Sequence, residues 1–181
     1  KQGLTVDKQP LINAKTALQQ SLDNQPNTTG MTQATIQNYN AKRQKAEQAI
    51  QKANKVIENA QPSVQQVSDE KSKVEQALNE LNNAKSALRA DKEELQHAYD
   101  QLIQPTDLNN KKPATINAYN QRYQQFSNEL NNTKTNADRI LKEQNPSVAN
   151  VNNALNKVRE VQQKLNEARA LLQNKEDNSA L

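Results

Sequence analysis

The chain contains no cysteine and no tryptophan, one histidine and two glycines in 181 residues, and aromatics make up 3% of it. Without cysteine there is no disulfide, no thiol nucleophile and no thiolate-bound zinc. That absence suits a reducing cytosol and a Gram-positive cell surface equally. The two glycines, Gly3 and Gly30, cannot build a phosphate-cradling loop. His97 stands alone, with neither cysteines nor a converging carboxylate pair, so it reads as a solvent-facing helix residue rather than part of a triad or metal site. Asp91, Glu93 and Glu94 form the densest acidic group, but carboxylates one and two positions apart on a helix do not converge on one ligand. No enzymatic activity, cofactor or metal is expected.

No segment approaches the roughly 18 consecutive apolar residues that a membrane span needs. Residues 1–5 carry no signal-peptide core, so any export or anchoring signal is expected elsewhere. The formal net charge is +4. Residues 1–90 hold 12 basic and 8 acidic side chains and residues 91–181 hold 12 of each, an excess too small for nucleic-acid binding of the strongly basic kind.

What the chain has in abundance is amide: asparagine and glutamine supply 50 of the 181 residues. A disordered polar tract would show no apolar periodicity. This chain shows it twice. Ala34-Thr35-Ile36 with Tyr39-Asn40 recurs 80 residues later as Ala114-Thr115-Ile116 with Tyr119-Asn120, and Pro62-Ser63-Val64 recurs 84 residues later as Pro146-Ser147-Val148. Four added residues between these marks amount to about one helical turn. Two copies of one plan are therefore expected, as modules over 1–90 and 91–181.

Within each copy the apolar residues step by three and four, the pattern of helices packed side by side. Ile36, Tyr39, Ala46, Ile50, Ala53, Ile57 and Ala60 form one stripe, broken by Arg43, and Ile116, Tyr119, Tyr123, Phe126, Leu130, Ala137 and Ile140 form its counterpart, with Thr133 as its polar member. Thr32 is placed to cap the first of these helices, and Pro113 sits in the first turn of the second, where a missing N–H costs nothing. Ser63 and Gln66 have the spacing of a capping box. Val67, Val74, Leu81, Leu88, Leu95 and Leu102 follow at intervals of seven with no glycine or proline among them, which predicts one helix over 63–104, about 63 Å long and shared by both modules. An opening helix over about 7–23 and a closing helix over about 147–174 complete three helices per module. The fold class expected is all-α, two tandem three-helix bundles joined by the shared helix into an elongated rod.

The aromatic side chains Tyr119, Tyr123 and Phe126, with Tyr99, are expected in the inter-helix seam with their hydroxyls at its rim. The one coherent surface feature is basic. Lys42, Lys45, Lys52 and Lys55 fall within about 140° of one helix circumference, either a solvated face or a dock for an acidic partner.

The runs Pro26-Asn27-Thr28-Thr29-Gly30-Met31-Thr32 and Ile36-Gln37-Asn38-Tyr39-Asn40, the Ala-x-x-Val/Ile helix phrases and the amide-rich, cysteine-free composition resemble the FIVAR-type repeats of giant staphylococcal extracellular-matrix-binding surface proteins. The resemblance spans essentially the whole chain. It implies a segment of a cell-wall-associated fibrous protein outside the bacterium, attachment to fibronectin, and a role in biofilm. The glycine-containing three-helix pattern of the albumin-binding modules that accompany such repeats is not matched. Two functions share all these features: a matrix-binding module that gains strength by repetition, and an inert stalk. In either case a monomer is expected.

Overall fold

The computed structural model describes residues 6–176. Among them are six α-helices and no strand longer than an isolated bridge. The chain divides into two compact units, Lys1–Arg89 and Ala90–Leu181. The first holds α1 (Gln9–Asp23), α2 (Gln33–Glu58) and α3 (Val64–Ser86); the second holds α4 (Glu93–Leu102), α5 (Pro113–Lys142) and α6 (Val148–Arg169). In each, all three helices pack on one another, so each is a three-helix bundle.

The helix starts follow from local chemistry. Thr32 is extended, and its side chain accepts from the backbone N–H of Thr35. Ser63 Oγ accepts from Gln66 N at 2.9 Å while Gln66 Oε1 accepts from Ser63 N at 2.8 Å, a reciprocal capping box. Ser147 caps α6 through Asn150 N at 3.0 Å. The turn before α2 needs a left-handed residue, supplied by Gly30 at φ 81°; the turn before α5 uses Asn110 at φ 56°, a residue type that tolerates this region.

The core of the first unit is built from Leu11, Leu18, Ala46, Ala53, Val74 and Leu81, all fully or almost fully buried, with Tyr39 at one end. That of the second is built from Leu95, Leu102, Leu130, Val158, Val161 and Leu165, with Tyr119 and Phe126. Most residues of the stripes named from the sequence are buried; Ile36, Ile57, Ile116 and Tyr123 are half-buried, and Ala60 lies beyond α2 and is exposed.

The single helix expected over 63–104 is not formed. α3 ends at Ser86 and α4 begins at Glu93, and the connection turns away to bond within its own unit. Arg89 O accepts from Thr32 N at 2.8 Å, and Arg89 N donates to Thr35 Oγ1 at 3.3 Å. Asp91 Oδ1 then accepts from Glu93 N at 2.9 Å and starts a new helix, as Asp7 Oδ1 accepts from Gln9 N at 2.9 Å before α1. Leu88 and Leu95 keep the interval of seven yet belong to different cores. α6 likewise stops short of the expected 174. There Lys112 N donates to Gln173 O at 2.8 Å and Lys175 N to Asn110 O at 3.0 Å, which draws the chain out of helix and onto the start of α5.

α5 has 30 residues and α2 has 26, so the four added residues lengthen this helix by one turn. α4, by contrast, has 10 residues where α1 has 15. Lys8 and Lys92 hold matching places before α1 and α4. The Lys8 amine donates to Ile57 O and Asn59 O at 2.7 Å each, and the Lys92 amine to Leu141 O at 3.2 Å and to Glu143 O. Each lysine satisfies carbonyls that the end of α2 or α5 leaves without helical partners.

Candidate partner-binding face

α2 presents its apolar residues to the core, and the four lysines singled out from the sequence lie beside that stripe. Lys42 is not free: its amine stands 3.7 Å from Glu80 on α3, at the α2–α3 seam. Lys45, Lys52 and Lys55 are exposed, and among the described residues none has a carboxylate within 4 Å. Lys45 and Lys52 are two turns apart on one face, about 10 Å along the axis. Glu47 points to another side of α2, where it faces Arg43 at 3.9 Å. The structure thus leaves three solvated cations in a row and withdraws the fourth into a seam.

The second unit does not repeat this face. Positions 80 residues beyond Lys45 and Lys52 are Gln125 and Asn132. Its seam also reverses the sign: Glu129 of α5 accepts from Lys157 at 2.9 Å and Lys164 at 2.8 Å, both on α6. These two amines, first that of Lys164, hold the Glu129 carboxyl below the usual carboxylate range, and Glu129 in turn raises Lys157.

The aromatic residues pack as the sequence predicts. Tyr119 and Phe126 are buried and Tyr123 lies between them, with ring centroids 5.9 Å from Tyr119 and 5.5 Å from Phe126. The Tyr119 hydroxyl meets Thr106 Oγ1 at the rim, 2.7 Å away. His97 is exposed and contacts the Gln101 side chain at 3.3 Å. Glu94 of the acidic group faces Arg159 at 3.2 Å. Among the described residues no three His, Asp or Glu side chains gather closely enough to hold a metal, and no helix is long and apolar enough to cross a membrane.

Two tandem bundles with this amide-rich surface match the FIVAR domain over residues 14–89 and 98–179. The chain belongs to the FIVAR family. Over 175 residues it is 41% identical to the extracellular matrix-binding protein EbhB of Staphylococcus aureus strain N315, and 41% identical to the extracellular matrix-binding protein ebh of strain NCTC 8325. Those alignments cover 97% of this chain but only 4% and 2% of the relatives' length. A solved chain, from work on adherence of Staphylococcus epidermidis to fibronectin mediated by the extracellular matrix binding protein Embp, is 26% identical. The similarity covers 91% of this chain and 99% of that one at a TM-score of 0.35.

Proposed function

We propose that this FIVAR pair is a repeat segment of a bacterial cell-surface adhesin that binds host extracellular matrix, with fibronectin as the partner, and that it has no catalytic role. The observation that carries the reading is the row of three unpaired, exposed lysines on α2, in a chain whose FIVAR relatives are named for matrix binding. The described residues offer no sheet edge onto which a β-domain could add a strand, so recognition falls to a helix face. Three exposed amines on one helix make a small contact of low affinity. Many such modules in one cell-wall-associated chain convert weak contacts into firm attachment, because each further module acts at a high local concentration. Adherence of that kind supports biofilm growth, and the segment itself acts as a monomer.

Surface plasmon resonance on immobilised fibronectin tests this. The 181-residue chain is expected to bind with fast dissociation, and more weakly as salt rises past about 0.15 M. Replacing Lys45, Lys52 and Lys55 together by Glu is expected to abolish the signal with the circular dichroism spectrum unchanged. Chains with more repeats are expected to dissociate progressively more slowly. If neither the parent nor longer arrays are retained, the repeats are an inert stalk.

A further inference from the structure

Each unit carries a groove at the end of its first helix and beside its second; α1 and α2 line that of the first unit, whereas α4, α5 and α6 all line that of the second. In the first unit the groove has a volume of about 310 Å³ and is lined by Leu22, Asp23, Arg43, Glu47 and Ile50 among others, so both signs of charge are present. α1 runs five residues beyond Leu18, and Leu22 in that last turn is buried. In the second unit α4 stops at Leu102, the counterpart of Leu18, one turn earlier, and the non-helical segment 103–108 follows it, as 24–28 follows α1. The groove beside that segment is larger, about 380 Å³.

Its lining has changed in kind. Tyr123 stands where the first unit has Arg43, and Leu130 where it has Ile50; Ile103 and Leu108 add apolar side chains to a lining that also holds Gln104, Thr106 and Tyr119. Ile103 and Leu108 are 43% and 38% exposed, two of the three large apolar side chains so exposed among the described residues. Solvation of such side chains is costly, and here they share one concavity with an aromatic ring. Two cations line the groove, Lys134 and Arg169, and among the described residues no carboxylate does. Arg169 braces the segment by donating to Thr106 Oγ1 and Gln104 O at 2.8 Å each. Lys134 has no carboxylate within 4 Å among the described residues.

We propose that this groove of the second unit is a docking site for a short acidic peptide segment of a partner protein, one that carries a bulky apolar side chain next to a carboxylate. The apolar side chain lies against Tyr123, Ile103 and Leu108, and the carboxylate turns toward Lys134. The cations select for negative charge, and the exposed Ile103 and Leu108 side chains favour a peptide with a bulky apolar side chain over a sulfated sugar, which has none. The site is independent of the α2 lysines, and either can fail without the other.

Two-dimensional amide NMR of the whole 181-residue chain tests it, with an acetylated, amidated tetrapeptide Glu-Leu-Phe-Asp as the probe. The expected result is saturable binding in the millimolar range, with shifts concentrated at Ile103, Leu108, Tyr123 and Lys134. The Gln-Leu-Phe-Asn version is expected to bind about threefold more weakly, the factor of one partly exposed ion pair. Lys134→Glu should weaken the acidic peptide and not the uncharged one. Leu108→Ser, on an exposed residue outside the helices, should weaken both while the rest of the spectrum stays fixed. The proposal is overturned by shifts that centre on the first unit, by equal affinity for the two peptides, or by no saturation. It is also overturned if the same shifts appear on raising the protein concentration alone, which would make a second copy the occupant, or with a sulfated disaccharide alone.

Discussion

The hydroxyl of Tyr119 meets that of Thr106 at 2.7 Å, whereas the hydroxyl of Tyr39, at the same place in the first unit, is buried without a partner among the described residues. Pro26 stands where the second unit has Thr106, and a proline side chain offers no hydrogen-bonding group. Tyr119→Phe is therefore expected to destabilise the second unit by about 1 kcal/mol, since it removes a hydrogen bond to the half-buried Thr106 hydroxyl, which keeps Arg169 as its partner. Tyr39→Phe is expected to leave the first unit as stable or slightly more so. Urea denaturation with hydrogen exchange read separately in each unit checks both.

Glu129 gives a pH dependence of definite sign. Its carboxyl, bonded to Lys164 and Lys157, titrates below the ordinary carboxylate value. A lowered folded-state value means that the interaction stabilises fully above the unfolded value of about 4.3 and that this stabilisation is lost as pH falls through the lower folded value. Glu129→Gln is expected to flatten that acid limb and to change stability at neutral pH only slightly, as for partly exposed pairs. Carboxyl chemical shifts and melting curves between pH 2 and 7 report the two effects.

Stability resides in the stripes and not in the turns. Leu81 is fully buried and Leu165 is 2% exposed, so replacement of either by Ala is expected to cost about 2 to 4 kcal/mol. Asn109 is exposed, and Asn109→Ala should cost far less. Equal losses on chemical denaturation would contradict the assigned faces.

Lys8 and Lys92 act by hydrogen bonding to helix ends. Lys8→Met keeps most of the side-chain length but leaves the carbonyls of Ile57 and Asn59 to water, at an expected cost of about 1 kcal/mol. The same change at Lys92 affects Leu141 and Glu143. Faster amide exchange confined to the last turn of α2 or α5 is the expected signature.

Much of this was legible in the residues. The recurrence at 80 and 84 residues located both copies and the added turn of α5, and Ser63, Thr32 and Pro113 marked helix starts correctly because capping is local chemistry. The break between α3 and α4 was missed because an interval of seven from Val67 to Leu102 says which face is apolar, not which core receives it. A signal was present: Asp91-Lys92 repeats Asp7-Lys8, the pair that opens α1. The bonds that end α3, from Arg89 to Thr32 and Thr35, join residues more than fifty apart and leave no periodicity. The lysine row was readable in part. Helical geometry put Lys42 with its neighbours, but only the packing of α3 shows Glu80 drawing it into the seam. The groove beside Tyr123 left no mark in the pattern, because it exists through a turn of helix that is absent.

The reversed seams bear on how two near-copies in one chain stay sorted as they fold. Lys42 faces Glu80 in the first unit, and Glu129 faces Lys164 in the second, where Lys164 is the counterpart of Glu80 at the 84-residue offset. If α2 took α6 in place of α3, Lys42 would meet Lys164 where it now meets Glu80. If α5 took α3, Glu129 would meet Glu80 in place of Lys164, while Lys73 would stand where α6 has Lys157. The first exchange sets like charges together, and the second replaces one of the two cations around Glu129 by an anion. Adjacent repeats are prone to trade helices because their apolar faces are interchangeable. The opposite signs of Glu80 and Lys164 thus favour α3 as the partner of α2 and α6 as the partner of α5.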